Sequence, residues 1–190
     1  MNSISASWTK LALIYLALLS TVNADQATSN TPMRPASLPP GVEVQFTSDG
    51  VDIGARVAEL IGLAKREVLV SQYAITDIRV LQALSRAVQP PQSVVVAVLI
   101  DPSPSIKNYD TPKYLRTQGV QVIAARRGLK GAGWHNQRYV IIDREAVILT
   151  SSDLTNSAQK NTENILVLAQ PSLAARFFNN WVNEVALGTK

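Results

Sequence analysis

Apolar positions along this chain fall into two periods. Val57, Leu60, Ile61 and Ala64 recur at steps of three and four, the spacing of one helix face. Ser48 or Asp49 stands where a cap belongs, which predicts a helix from there to about Lys65. Val80, Leu81, Leu84 and Val88 repeat the pattern behind Thr76, read as the second cap, and Pro90-Pro91 stops it. Around these helices lie short apolar runs at 42–47, 68–73, 94–100, 120–124, 139–142, 146–149 and 164–169, each read as a strand. The 94–100 run is almost unbroken, as expected of a strand covered on both faces. Pro112 fits the first turn of a short helix ending at Gly119, and Pro171 opens a final helix through about Ala186. Arg144-Glu145 reads as a tight turn between two strands. Strands alternating with helices predict an α/β fold: a mixed β-sheet sandwiched between helices.

The N-terminus breaks that alternation. Lys10 precedes an apolar run at 11–19, and Val22-Asn23-Ala24 offers the small residues of a cleavage site. Residues 1–24 therefore read as a signal peptide, and the mature chain starts at Asp25. The run is shorter than the roughly 20 residues of a membrane span. The expectation is export, to the periplasm or the medium, with no integral span after cleavage. Residues 25–40, DQATSNTPMRPASLPP, are polar and Pro-rich and read as a flexible leader. The folded domain is then 41–190. With no cysteine in the chain, disulfides and a thiol nucleophile are excluded.

Net charge is +4, and its distribution matters more than its sum. Lys107, Lys113, Arg116, Arg126, Arg127, Lys130 and Arg138 face only Asp110 as an acid over 107–138. Such a block favours anionic partners, nucleic acid or lipid headgroups, or is a solvated basic surface. It runs into the stretch WHNQRYVIIDREAVILTSSD, 134–153, which holds the only histidine, His135. A glycine loop at 126–133 and the turn Thr150-Ser151-Ser152-Asp153 stand at strand ends, where ligands gather in open α/β sheets. Tyr73 and Asp101, also at strand ends, either line that site or are ordinary strand-end residues.

The stretch resembles the signature of the phospholipase D superfamily, H-x-K-x4-D followed by G-S/G-x-N. Its layout is similar to the small, exported, single-domain nuclease branch. Val42-Glu43-Val44, the helix end at 60–65, Ile100-Asp101 and Glu163-Asn164 fall where that branch has similar residues. The resemblance implies a phospholipase D-like fold and a covalent phosphohistidine route. One histidine attacks phosphorus, and a second, from another copy of the motif, protonates the leaving oxygen. Lysine and asparagine hold the phosphoryl oxygens, with no metal or other cofactor. Because this chain carries one copy of the motif, the resemblance implies a homodimer acting on a phosphodiester.

The match has gaps. Counting back from Asp143, the family's lysine falls on Arg138 and its histidine on Asn136, with His135 one residue early. Thr150 stands for glycine and Asp153 for asparagine, whereas Ser151, Thr155 and Glu163 match. The residues assigned to catalysis are His135, Arg138, Asp143, Ser151, Asp153 and Glu163. Those assigned to substrate binding are Asn136, Arg126, Arg127 and Lys130. In a strand, residues two apart share a face. A one-residue bulge at 136 and 137 would therefore bring His135 onto the face of Arg138; without one, Asn136 takes that place. Asp143 either belongs to the site or caps a turn. Glu163 either orients His135 or sits solvated at a strand edge. Two functions stand: an exported phosphodiesterase with a histidine nucleophile, acting on nucleic acid or phospholipid, and a catalytically impaired relative that binds phosphate-bearing partners.

Overall fold

A computed structural model describes residues 41–188 apart from 105, 108 and 129–131. The expected signal peptide, the leader and Lys130 lie outside the described residues. Seven strands build one sheet: β1 (Gly41–Phe46), β2 (Glu67–Gln72), β3 (Val95–Ile100), β4 (Gln121–Ala124), β5 (Tyr139–Ile142), β6 (Ala146–Thr150) and β7 (Asn164–Ala169). Their order is β1-β7-β6-β5-β2-β3-β4. The helices are α1 (Ile53–Gly62), α2 (Ile78–Ala87), α3 (Thr111–Thr117) and α4 (Pro171–Gly188). β2, β3 and β4 are parallel neighbours, with α2 and α3 as their crossovers, and every other pairing is antiparallel. The sheet is mixed, as the alternation predicted.

Strand alternation sorts the two layers. Val68, Val70, Val98, Val140, Ile142 and Ile148 join Val57, Leu60, Leu84 and Leu115 in one core with α1, α2 and α3. Their strand neighbours, such as Leu69, Leu99 and Ile141, point to the other face. There α4 packs against β4 to β7, with Phe178 and Trp181 buried. The Trp181 Nε1–H donates to the Val70 carbonyl at 3.0 Å, so this large ring is hydrogen-bonded as well as buried. Trp181→Ala would cost about 3–5 kcal/mol and unseat the helix.

Both predicted helix caps are corrected. Residues Thr47–Asp49 form a 3-10 turn ended by Gly50 at φ 81°, and Asp52 caps α1 by accepting from the Ala55 N–H at 3.1 Å. Asp77 caps α2, accepting from the Arg79 N–H at 2.9 Å, while the Thr76 hydroxyl accepts from the Asn156 N–H at 3.2 Å. In each case the aspartate next to the first helical residue takes the cap. Arg79 ties the two caps together through ion pairs to Asp52 and Asp77. Hydrogen bonding to Arg79 holds the Asp52 carboxyl below its usual range. At Asp77 burial pushes upward, but Arg79 and its other donors outweigh it, and the net shift is downward.

The β5–β6 turn positions the motif. Asp143 and Arg144 sit at φ 54° and 57°, and the Glu145 N–H donates to the Ile142 carbonyl at 2.9 Å. That is a type I′ geometry, which suits the strand twist but is disfavoured for residues other than glycine. The Asp143 carboxylate offsets the strain by accepting from the backbone N–H groups of Lys65, Arg66 and Glu67 at 2.9, 2.7 and 2.9 Å. The Arg144 guanidinium bonds Glu67 at 2.6 Å and lies 3.9 Å from the Phe178 ring centroid. The hairpin is thereby fastened to the start of β2.

Candidate functional site

Arg138 is the residue before β5, and its carbonyl accepts from the Thr150 N–H at 3.3 Å, so it extends the β5–β6 ladder by one step. Its Nε donates to Asp153 Oδ1 at 2.9 Å, and both side chains are partly exposed. Asp153 lines a cleft of about 270 Å³ with Ser152, Thr155, Glu163, Asp52 and Asp77. Ser151 donates to Glu163 Oε2 and accepts from the Asn164 N–H at 2.9 Å. The Glu163 N–H in turn donates to the Thr47 hydroxyl at 2.8 Å. Pairing of β6 with β7 and of β7 with β1 brings these three segments side by side. The structure thus unites Arg138 with Asp153 and Ser151 with Glu163.

His135 is placed elsewhere. It is 3% exposed, its Nε2 lies 2.8 Å from the Ser71 hydroxyl oxygen, and its backbone N–H donates to Asp101 Oδ2 at 2.8 Å. Among the described residues it bonds neither Arg138 nor Glu163; the Glu163 carboxylate is held by Ser151 and by Asn161. Burial pushes the imidazole below its ordinary value of 6.5, against an opposing pull from Asp101, so the ring is neutral at pH 7. Asn136 is exposed. Residues 136 and 137 stand outside the strands, so the inserted residue is absorbed in irregular chain and not in a strand bulge.

The remaining assignments divide. Asp143 is 1% exposed, and its carboxylate is spent on backbone N–H groups, the cap role weighed for it. Thr155 closes a local turn, its hydroxyl 3.1 Å from that of Ser157. Arg127 lies 4.9 Å from the Trp134 ring centroid, and Trp134 meets Tyr73 edge-on at 5.9 Å. Arg126, next to Arg127 in sequence, is half-buried. Sequence reasoning missed Ser71. It is the one hydroxyl of β2, EVLVSQ, and nothing in that run names its partner.

This arrangement can be set beside known proteins. Residues 57–184 match the family model described as "Cardiolipin synthase, PLD-like domain". That match covers most of the chain. The chain belongs to the phospholipase D superfamily. A phospholipase D of Rickettsia felis is 28% identical over 132 residues, which are 68% of this chain and 62% of that protein. The chain thus spans about 62% of the length of the curated relatives it matches. The phospholipase D family member Nuc from Salmonella typhimurium superposes with a TM-score of 0.66 at 23% identity, covering 77% of this chain and 94% of Nuc. NucT from Helicobacter pylori gives the same score at 17% identity, covering 76% and 96%. These two establish the shared fold. Against the superfamily signature, the departures at Asn136, Thr150 and Asp153 lie in the segments that line the Arg138–Asp153 site.

Proposed function

We propose that this protein binds phosphodiesters at Arg138 and hydrolyses them poorly or not at all. The observation that carries this reading is the position of His135, buried against Ser71 and Asp101. A nucleophile must reach within about 3–3.5 Å of phosphorus with its lone pair free. The Nε2 of His135 is occupied by the Ser71 hydroxyl, and the motif position two residues before Arg138 holds an amide, Asn136. Arg138 keeps the two-pronged guanidinium suited to phosphate, tempered by Asp153. The competing reading is an exported phosphodiesterase with His135 as nucleophile. In its favour, the imidazole is the free base at neutral pH, the form that attacks. Pairing of two copies belongs to the same proposal. Val42, Val44 and Phe46 sit on one face of the edge strand β1 and are 53, 52 and 43% exposed, an apolar stripe suited to a two-fold contact.

The deciding experiment incubates the full protein with bis-nitrophenyl phosphate in chelator. We expect saturable binding that Arg138→Ala removes, with at most trace turnover. Rapid metal-independent turnover, far above that trace and abolished by His135→Ala, would overturn this reading and establish the phosphodiesterase. Nuclease and phospholipase substrates share the phosphoryl site, so that choice needs evidence from outside it.

A further inference from the structure

A groove separate from the Asp153 cleft opens at Arg138, between β5–β6 and α4. About 610 Å³ in volume, it is lined by Gln137, Arg138, Tyr139 and Leu149 from the β5–β6 side and by residues of α4. On α4, Arg176, Asn179, Asn180 and Asn183 follow at steps of three, four and seven, one stripe of the helix. That stripe is distinct from the buried one, Ala174, Phe178, Trp181 and Val185. Asparagine is among the poorer helix formers, so three in one stripe have no rationale in helix stability.

The chemistry of the lining is specific. None of its residues is acidic, and it contributes two guanidinium groups, Arg138 and Arg176. Glu184 lies within electrostatic reach of Tyr139 but does not line the groove. Among the described residues the side chains of Arg176, Asn179 and Asn183 form no hydrogen bond or ion pair. Asn180 accepts from the Tyr139 hydroxyl at 3.0 Å, which leaves its amide N–H groups to donate. The Oε1 of Gln137 is buried and unpartnered among the described residues. Phe177 is half-buried and meets Tyr139 edge-on at 5.0 Å.

We propose that this groove is a binding subsite for single-stranded nucleic acid, holding a nucleotide next to the phosphodiester at Arg138. The inference rests on the reading of Arg138 given above and extends it to a substrate class. Arg176 takes the neighbouring phosphate. The side-chain amides of Asn179 and Asn183 each carry a donor and an acceptor, and Asn180 adds its N–H donors, the complement of base edges. Phe177 supplies an aromatic surface for a base. A phospholipid would ask instead for an apolar wall beside its headgroup, and only Leu149 and the rings of Tyr139 and Phe177 offer one.

The test measures anisotropy of a fluorescein-labelled 12-nucleotide single strand with full-length protein. Wild type is compared with Arg176→Ala/Asn183→Ala and with Arg138→Ala, each checked for folding by circular dichroism. Binding of bis-nitrophenyl phosphate is read separately. The inference expects the double variant to lose at least tenfold in strand affinity while keeping wild-type affinity for the small diester. Strand affinity unchanged in the double variant but lost in Arg138→Ala would overturn the groove and leave the phosphodiester site standing. Loss of neither probe in Arg138→Ala would defeat that site itself. Wild-type binding to phosphatidylglycerol vesicles but not to the strand would overturn the substrate class.

Discussion

Replacement of Asp143 is the most direct test of how the motif is held. Its carboxylate accepts three backbone N–H bonds from residues 65–67 and is 1% exposed. Bonds to a charged acceptor contribute about 1.5–3 kcal/mol each, but truncation lets the neighbours relax, so the full sum is not lost. Alanine also tolerates φ 54° less well than aspartate, at a cost of about 1 kcal/mol. Asp143→Ala should therefore destabilise by about 3–5 kcal/mol, a large part of a typical domain's total. At roughly 2–4 °C per kcal/mol the melting temperature should fall by about 6–20 °C. Asp143→Asn keeps one acceptor and the left-handed tolerance and should lose about half as much. Urea unfolding gives both numbers, and diester binding by folded Asp143→Asn should match wild type. An Asp143→Ala loss under about 1 kcal/mol would refute the anchoring role. A stable Asp143→Asn that no longer binds diester would return Asp143 to the phosphoryl site.

Three further outcomes follow from the same geometry. Polyanion binding should weaken steeply as salt rises, and Arg126→Ala/Arg127→Ala should flatten that dependence; an unchanged salt slope would remove these two from the interface. His135 is held below 6.5 in the folded protein, so the unfolded chain takes up its proton first as pH falls. Its contribution is complete well above pH 6.5 and is lost progressively as pH falls below 6.5 through the lowered folded value, whereas Asp52 and Asp77, held below 3.8, lose theirs only in more acid solution. Urea midpoints of His135→Gln should lack the higher-pH step, and a step that persists would assign it elsewhere. Asp153→Asn releases Arg138 from its ion pair and should tighten diester binding severalfold by calorimetry; weaker binding would mean Asp153 positions Arg138 for phosphate.

Strands were legible because each is a short apolar run, and the runs at 94–100 and 164–169 became β3 and β7 within a residue. Caps were less so, since Ser48, Asp49 and Asp52 are all chemically able and the first buried turn at Ile53 makes the choice. Part of the site followed from the motif. Once 146–150 and 164–169 pair, Ser151 and Glu163 must meet at their ends. Ser71 was illegible because its partner lies 64 residues away, across a sheet order that local pattern does not encode. The stripe of Arg176, Asn179, Asn180 and Asn183 can be read as helical spacing, but what it faces is decided by where α4 docks.

One inserted residue separates His135 from the spacing that would pair it with Arg138. The ladder keeps the phase of the cation, because the Thr150 N–H holds the Arg138 carbonyl. The extra residue is therefore expressed upstream, where Asp101 takes the His135 N–H and Ser71 takes the ring. Carrying His135, backbone and ring together, to Arg138 breaks both bonds, about 1.5–3 kcal/mol for the charge-assisted one and about 1 kcal/mol for the neutral one. At about 1.4 kcal/mol per factor of ten, the displaced ring is populated at roughly one part in a hundred to one in a thousand. Any hydrolysis through His135 would run slower by that factor. Ser71→Ala removes the neutral bond without touching the cleft, so it should raise residual metal-independent turnover about fivefold, the worth of 1 kcal/mol. A fall in turnover would show instead that Ser71 orients a working nucleophile, and the binding-only reading would go with it.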